Sequence, residues 1–181
     1  YALVLLILGP TSVLAYSVEL LPIKSVRVDE SLGVQLPVSM EFIDHNGQKV
    51  RGKDLFANGK PTVLTFVYYR CPAACTLLLN GLTAALEETA FQLGRDFNMV
   101  TISVDSREGT DLAKAKRDTY VKALEGTQHD PNAWTFLTAS REDITTITDL
   151  IGYRFVYDPD TTQYEHPSVL MFVSPSGELK R

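Results

Sequence analysis

Cys71 and Cys75 are the residues best suited to chemistry, and they are the whole cysteine content of the chain. They stand in Arg70-Cys71-Pro72-Ala73-Ala74-Cys75, where an apolar run from Thr62 to Tyr69 gives way to helix formers from Ala73 to Leu79. Proline fits the first turn of a helix, because its missing N–H would have no partner there. Cys71 is therefore expected at or next to the helix N-cap and Cys75 about one turn inside. Residues four apart share a helix face, so the two sulfurs can converge. They can close a disulfide or hold one soft metal ion. A helix N-terminus also favours the thiolate, the form that attacks disulfides and binds metals.

Composition sets the surroundings of this pair. The 181 residues suffice for one domain with a sizeable core, and the 45% apolar and 22% charged contents are those of an ordinary globular protein. A net charge of −5 argues against the basic footprint of a nucleic-acid binder. Tyr1 to Val18 carries no charged residue and reads as a hydrophobic targeting segment. Cleavage after Ala15 and retention as a membrane anchor both remain open. Either fate places the domain outside the cytoplasm. Disulfides persist there, yet a bridge between residues four apart closes a very short loop and adds little stability. The spacing favours chemistry over stapling.

The elements that must position the pair can be read in order. Residues 19–37 mix charge with Pro and Gly and read as a tether, leaving 38–181 as the domain. Val38 to Ile43 reads as a strand and Gln48 to Val50 as its return, with Asn46-Gly47 a strong hairpin signal. Residues 51–60 read as a connector. Thr62 to Tyr69, apolar on both faces, suits a strand covered on both sides of an α/β sheet. The helix after Cys71 is expected to reach about Leu93, with Gly94 as its stop. A strand at 97–104, a helix at 110–124 and a short strand at 134–138 follow. Ser140 to Asp143 has capping-box spacing and opens a helix to Ile151. Strands are expected at 153–157, at 168–173 and from Glu178. Strand–helix alternation implies parallel pairing with right-handed crossovers. The carboxyl end of a central strand is where open α/β sheets place their sites. With a closing hairpin, the order matches a thioredoxin-like layout: a central mixed sheet flanked by helices, preceded by an N-terminal β-hairpin. The helix that usually closes such folds is expected beyond Arg181.

Two thiolates are too few for a closed zinc site, which takes four ligands. Thiolate with imidazole suits copper. Of the three histidines, His45 reads as a solvated turn residue and His129 as part of a surface loop. His166 stands just before an apolar strand, in a loop that this topology brings beside the cysteine helix end. A ligand role and a packing role are both open for it. Met99 and Met171 read as core, and Tyr68, Tyr69 and Phe66 as sheet packing. Arg70, next to Cys71, fits a role in favouring the thiolate and a solvated arginine equally well.

Arg70-Cys71-Pro72-Ala73-Ala74-Cys75, then Ile102-Ser103-Val104-Asp105, then Glu165-His166-Pro167-Ser168 ahead of Pro175-Ser176-Gly177 together resemble the SCO/SenC family of thioredoxin-like copper-binding proteins. The resemblance covers roughly Val38 to Arg181. It implies that Cys71, Cys75 and His166 bind copper, as Cu(I) or Cu(II), and that the dithiol is redox-active. It also implies that Asp105 lies near the site, although a carboxylate capping the next segment fits equally. The partner it implies is cytochrome c oxidase subunit II, whose dinuclear copper site would receive the metal. The chain departs from the common family pattern at Ala73-Ala74, Thr76, Ser106 and Pro167, which marks a divergent bacterial branch. Two functions follow as expectations. One is a copper chaperone. The other is a thiol–disulfide oxidoreductase in which Cys71 attacks and Cys75 resolves, with a thioredoxin-like reductant as a further partner. Only the first needs His166.

Overall fold

The computed structural model describes residues 25–181. The expected targeting segment at 1–18 lies outside the described residues. The structure is a thioredoxin-like α/β domain: a mixed sheet flanked by helices. Its strands are β1 (Arg27–Val28), β2 (Glu41–Asp44), β3 (Lys49–Arg51), β4 (Thr62–Val67), β5 (Asn98–Ser103), β6 (Trp134–Thr138), β7 (Tyr153–Arg154), β8 (Val156–Asp158), β9 (Gln163–Glu165) and β10 (Met171–Val173). The α-helices are α1 (Gly52–Phe56), α2 (Ala74–Glu88), α3 (Thr110–Val121) and α4 (Arg141–Leu150).

The six-stranded sheet runs β10-β4-β5-β6-β2-β3. Its centre, β4-β5-β6, is parallel, as the strand–helix alternation requires. The β2–β3 hairpin joins antiparallel at one edge and β10 at the other. Leu64 to Val67 of β4 and Met99 to Ser103 of β5 are buried without alternation, because helices cover both faces. The buried hydroxyls are paired: Thr65 donates to the Val169 carbonyl at 3.1 Å and Thr101 accepts the Trp134 indole N–H at 3.0 Å. Ser140 caps α4 as expected, its Oγ accepting from the Asp143 N–H at 3.1 Å.

The structure differs from the sequence reading in five places. The connector at 51–60 contains α1, which buries Leu55 and Phe56. Helix α2 ends at Glu88 rather than near Leu93. Leu93 is instead drawn into the core, and its N–H donates to the His129 ring. Gly94 is the apex of a later turn, with φ of +90° and an N–H donated to the Phe97 carbonyl at 2.8 Å. The expected strand at 153–157 is broken at Phe155 into β7 and β8, which serve different partners. The strand expected at 168–173 pairs only over β10, and β9 ahead of it was not anticipated.

The fifth difference concerns the expected tether. Residues 27–36 pack on the domain: β1 pairs with β7, Gln35 bridges to Glu178, and Leu36 is only 2% exposed. Gly152 makes this possible. The Asp29 N–H donates to the Gly152 carbonyl at 2.8 Å, and the Asp29 carbonyl lies where a Cβ on Gly152 would come within 1.8 Å. Only glycine tolerates both that approach and its φ of +73°.

Candidate metal centre

Strand β4 stops pairing at Val67, yet Tyr68 and Tyr69 stay buried. Tyr69 donates its phenol to the Leu137 carbonyl at 2.6 Å. The chain then turns, closed by the Cys71 N–H donating to the Tyr68 carbonyl at 3.1 Å. Glu108 holds this turn from below. Its buried carboxylate accepts the N–H of Tyr69 at 2.6 Å, the N–H of Arg70 at 2.8 Å and the Ser103 hydroxyl at 2.6 Å. Nothing in the sequence marks Glu108, which reads as one more acidic residue in a loop after a strand. Three short bonds to one buried carboxylate are costly to remove, since backbone donors left without a partner each lose their solvation. Glu108→Ala is expected to destabilise the domain by roughly 3 kcal/mol or more, read as a lower midpoint in urea unfolding. An unchanged midpoint would contradict the clamp.

Because the turn is clamped, α2 begins later than Pro72 suggests. Ala73 is its N-cap residue, with no side-chain cap, so Cys71 lies ahead of the helix and Cys75 sits within its first turn. The Cys71 sulfur takes the vacant capping role, accepting the Cys75 N–H at 3.4 Å. This geometry separates the two thiols electronically. Burial works against the Cys71 thiolate, but N–H groups of Cys75 and Ala73 and the Tyr68 phenol outweigh it and hold that thiol below the ordinary cysteine value. Burial pushes Cys75 up to about 12, and the neighbouring Cys71 adds to the effect. Both thiols are free, Cys71 8% and Cys75 0% exposed. Arg70 is exposed, and its backbone N–H serves the turn.

His166 follows β9 directly, and the β8–β9 hairpin delivers it to the cysteines. Its Nε2 lies 3.0 Å from the Cys75 sulfur. The Tyr68 ring meets the imidazole edge-on, with centroids 5.8 Å apart. Burial lowers the imidazole below its ordinary value, so the ring is neutral and ligand-competent at pH 7. The other ring nitrogen, Nδ1, faces the Tyr153 phenol at 3.0 Å and the Pro167 carbonyl at 3.1 Å. Tyr153 is 1% exposed, and burial raises its phenol well above the usual range. As an aromatic residue in an expected strand, it gave no sign of this contact.

The donor atoms of Cys71, Cys75 and His166 all lie within 4.8 Å of one another. Two thiolates on one ion of zinc's size, with bonds of about 2.3 Å, stand at most about 4.6 Å apart. The three donors thus need only a small contraction to share an ion. They are the one such group of His, Cys, Asp or Glu side chains among the described residues. The donor set, two sulfurs and one imidazole, fits a soft ion of low coordination number better than a four-ligand zinc site. A separate apolar concavity of about 950 Å³, walled by Leu82, Leu86, Phe91, Leu170 and Phe172, contains none of the three.

Asp105 stands apart from the donors. Burial disfavours its charge, but Arg107 grips it through Nε at 2.8 Å and a second nitrogen at 2.9 Å and keeps it below the usual carboxylate range. The same guanidinium lies over the Tyr157 ring, 4.9 Å from its centroid, and the Tyr164 phenol donates to Asp105 at 3.4 Å. Asp105 therefore braces the hairpin that carries His166. The other two histidines are corrections to the sequence reading. His45 is buried, its Nδ1 accepting the Phe136 N–H at 3.4 Å. His129 is buried too, bonded to the Leu86 carbonyl at 2.7 Å and to the Leu93 N–H at 3.2 Å. Each sits in a turn or loop by sequence, but its ring satisfies backbone groups that would otherwise be orphaned. Met99 and Met171 are core, as expected.

A family model for SCO1/SenC matches residues 30–181. Among solved structures, a protein from Aquifex aeolicus VF5 is 26% identical with a TM-score of 0.69, and 83% of each chain is covered. Arabidopsis thaliana ScoI, solved with copper bound, is 26% identical with a TM-score of 0.62, covering 83% of this chain and 86% of its own. A SCO1/SenC family lipoprotein from Bacillus anthracis str. Ames, at 21% identity, has a TM-score of 0.65 over 84% of this chain and 86% of its own, and shares the fold. No curated protein matches the sequence. With the family model spanning nearly all the described residues, the chain belongs to the SCO1/SenC family.

Proposed function

We propose that this protein is a copper chaperone: Cys71, Cys75 and His166 hold one copper ion as cargo and pass it to the dinuclear copper site of cytochrome c oxidase subunit II. The observation that carries this reading is the convergence of two sulfurs and one neutral imidazole within 4.8 Å. The copper-bound Arabidopsis relative supports the choice of metal. Uptake sends the Cys75 thiol proton to solvent and replaces the 3.0 Å contact between the Cys75 sulfur and His166 Nε2. Transfer is ligand exchange and needs no bond-making catalysis. The rim around the thiols suits it, because Pro72, Ala73, Ala74 and Leu77 are exposed and uncharged, Leu77 by 73%. A recipient can cover those four residues without desolvating a charge, with the exposed Arg70 at their border. Anchoring or export through residues 1–18, into a periplasm or onto the outer face of the inner membrane, belongs to the same proposal. No helix among the described residues is long and apolar enough to cross a membrane.

A second reading, thiol–disulfide oxidoreductase, is favoured by the split acidities of Cys71 and Cys75. An acidic attacking thiol with a protonated resolving partner is the arrangement such exchange uses. One experiment separates the two. Wild type and His166→Ala are each given the soluble domain of subunit II, oxidised or reduced, and scored for cysteine reduction and for copper delivery. Delivery should fall at least tenfold in His166→Ala while reduction persists. Equal delivery by both proteins would sink the chaperone reading.

A further inference from the structure

The triangle behind His166 carries more than a packing contact. Tyr153 Oη, His166 Nδ1 and the Pro167 carbonyl oxygen lie at 3.0, 2.8 and 3.1 Å from one another, pair by pair. A carbonyl oxygen has no hydrogen to give. The Tyr153 hydroxyl donates to it at 2.8 Å. The 3.1 Å approach of Nδ1 to the same oxygen is attractive only if Nδ1 carries the imidazole proton; otherwise two lone pairs would face each other. With the proton on Nδ1, Nε2 is left with its lone pair directed at the Cys75 sulfur, 3.0 Å away.

The phenol is held in place from its own side. Tyr153 follows Gly152, whose approach to Asp29 fixes the start of β7. Its ring is buried and packs on Phe66 with centroids 4.8 Å apart, and on Phe155 at 6.2 Å. The hydroxyl is thus presented from the sheet core rather than from the mobile end of a flexible side chain. We propose that Tyr153 is a positioning residue, which together with the Pro167 carbonyl fixes the His166 imidazole with its proton on Nδ1 and Nε2 facing Cys75. Outer partners of metal-binding imidazoles act in this way, setting the tautomer and the ring plane. The proposal rests on the copper reading only for its consequence, since the tautomer is a property of the metal-free protein.

The test uses the reduced, metal-free full chain labelled with ¹⁵N and long-range proton–nitrogen NMR of His166 at a pH where the ring is neutral. Wild type should show the proton on Nδ1 and a slowly exchanging Tyr153 hydroxyl proton close to it. Tyr153→Phe, which keeps the buried ring, should lose the bias and populate the Nε2-protonated form. Its Cu(I) affinity should fall about tenfold, the lower end of the range for such partners, while the alkylation rate of Cys71 stays at the wild-type value. A wild-type proton on Nε2, or no Tyr153 hydroxyl resonance near the ring, would overturn the proposal even if the Phe variant did not fold. Identical tautomers and affinities in wild type and variant would overturn it as well. If neither protein binds copper, the chaperone reading fails and the tautomer result still decides the role of Tyr153.

Discussion

Cys75→Ser is expected to remove Cu(I) binding almost completely, and Cys71→Ser to do nearly the same. Serine keeps the size of the side chain but replaces a soft, ionisable sulfur with a hard, neutral hydroxyl. Cys75 is fully buried beside His166, so no solvent donor can take its place. Taking the roughly 12 kcal/mol of structural zinc sites as the scale, losing one of three donors forfeits roughly a third of it, about 4 kcal/mol. The affinity should therefore drop by about three orders of magnitude, read by competition with a Cu(I) chelator. The fold should survive both changes, because the Glu108 clamp holds the turn after β4 and core packing holds α2. A loss smaller than tenfold at either position would show that the sulfurs are not the principal donors.

The second large effect is kinetic and concerns which thiol reacts. Cys71 is held below the ordinary thiol value and Cys75 is raised to about 12. Raising a thiol pKa depletes the nucleophilic anion at any lower pH. At pH 8 a thiol of that value is ionised to only about one part in ten thousand. Iodoacetamide should therefore modify Cys71 more than a hundredfold faster than Cys75 in the reduced, metal-free protein, with the sites read by peptide mass spectrometry. The Cys75 rate should rise about tenfold per pH unit throughout the neutral and mildly alkaline range, whereas that of Cys71 should level off earlier. Once Cys71 is capped in a mixed disulfide its negative charge is gone. One of the causes that raise Cys75 then disappears, and the resolving step is released by the step before it. Equal alkylation of both cysteines would remove this asymmetry and with it the main support for the redox reading.

Much of the framework was legible because local signals agreed with the global order. The apolar runs of β4 and β5, the turn at Asn46-Gly47 and the cap at Ser140 each point to the element that forms. The cysteine spacing located the site, and topology brought His166 to it. What was missed shares one physical cause. Glu108, Tyr153, His45 and His129 act through contacts with residues distant in sequence, and their types alone suggest a loop or a sheet filler. Burial of a polar side chain is decided by which backbone groups lack partners after the chain has folded. The misplaced end of α2 has the same origin: Leu93 and Gly94 continue a helical pattern in sequence, but Leu93 is claimed by the core and Gly94 by a tight turn. The segment at 27–36 looked like a tether because it is polar and aperiodic, yet its backbone finds β7 and Glu178.

The most direct test is the copper content and X-ray absorption spectrum of the reduced full chain, with His166→Ala measured beside it. The expected result is one copper per chain with two sulfur neighbours and one imidazole nitrogen in the wild type. The nitrogen should be lost and the affinity lowered in the variant. Two coppers per chain, or the same spectrum and affinity after His166→Ala, would contradict the three-donor site.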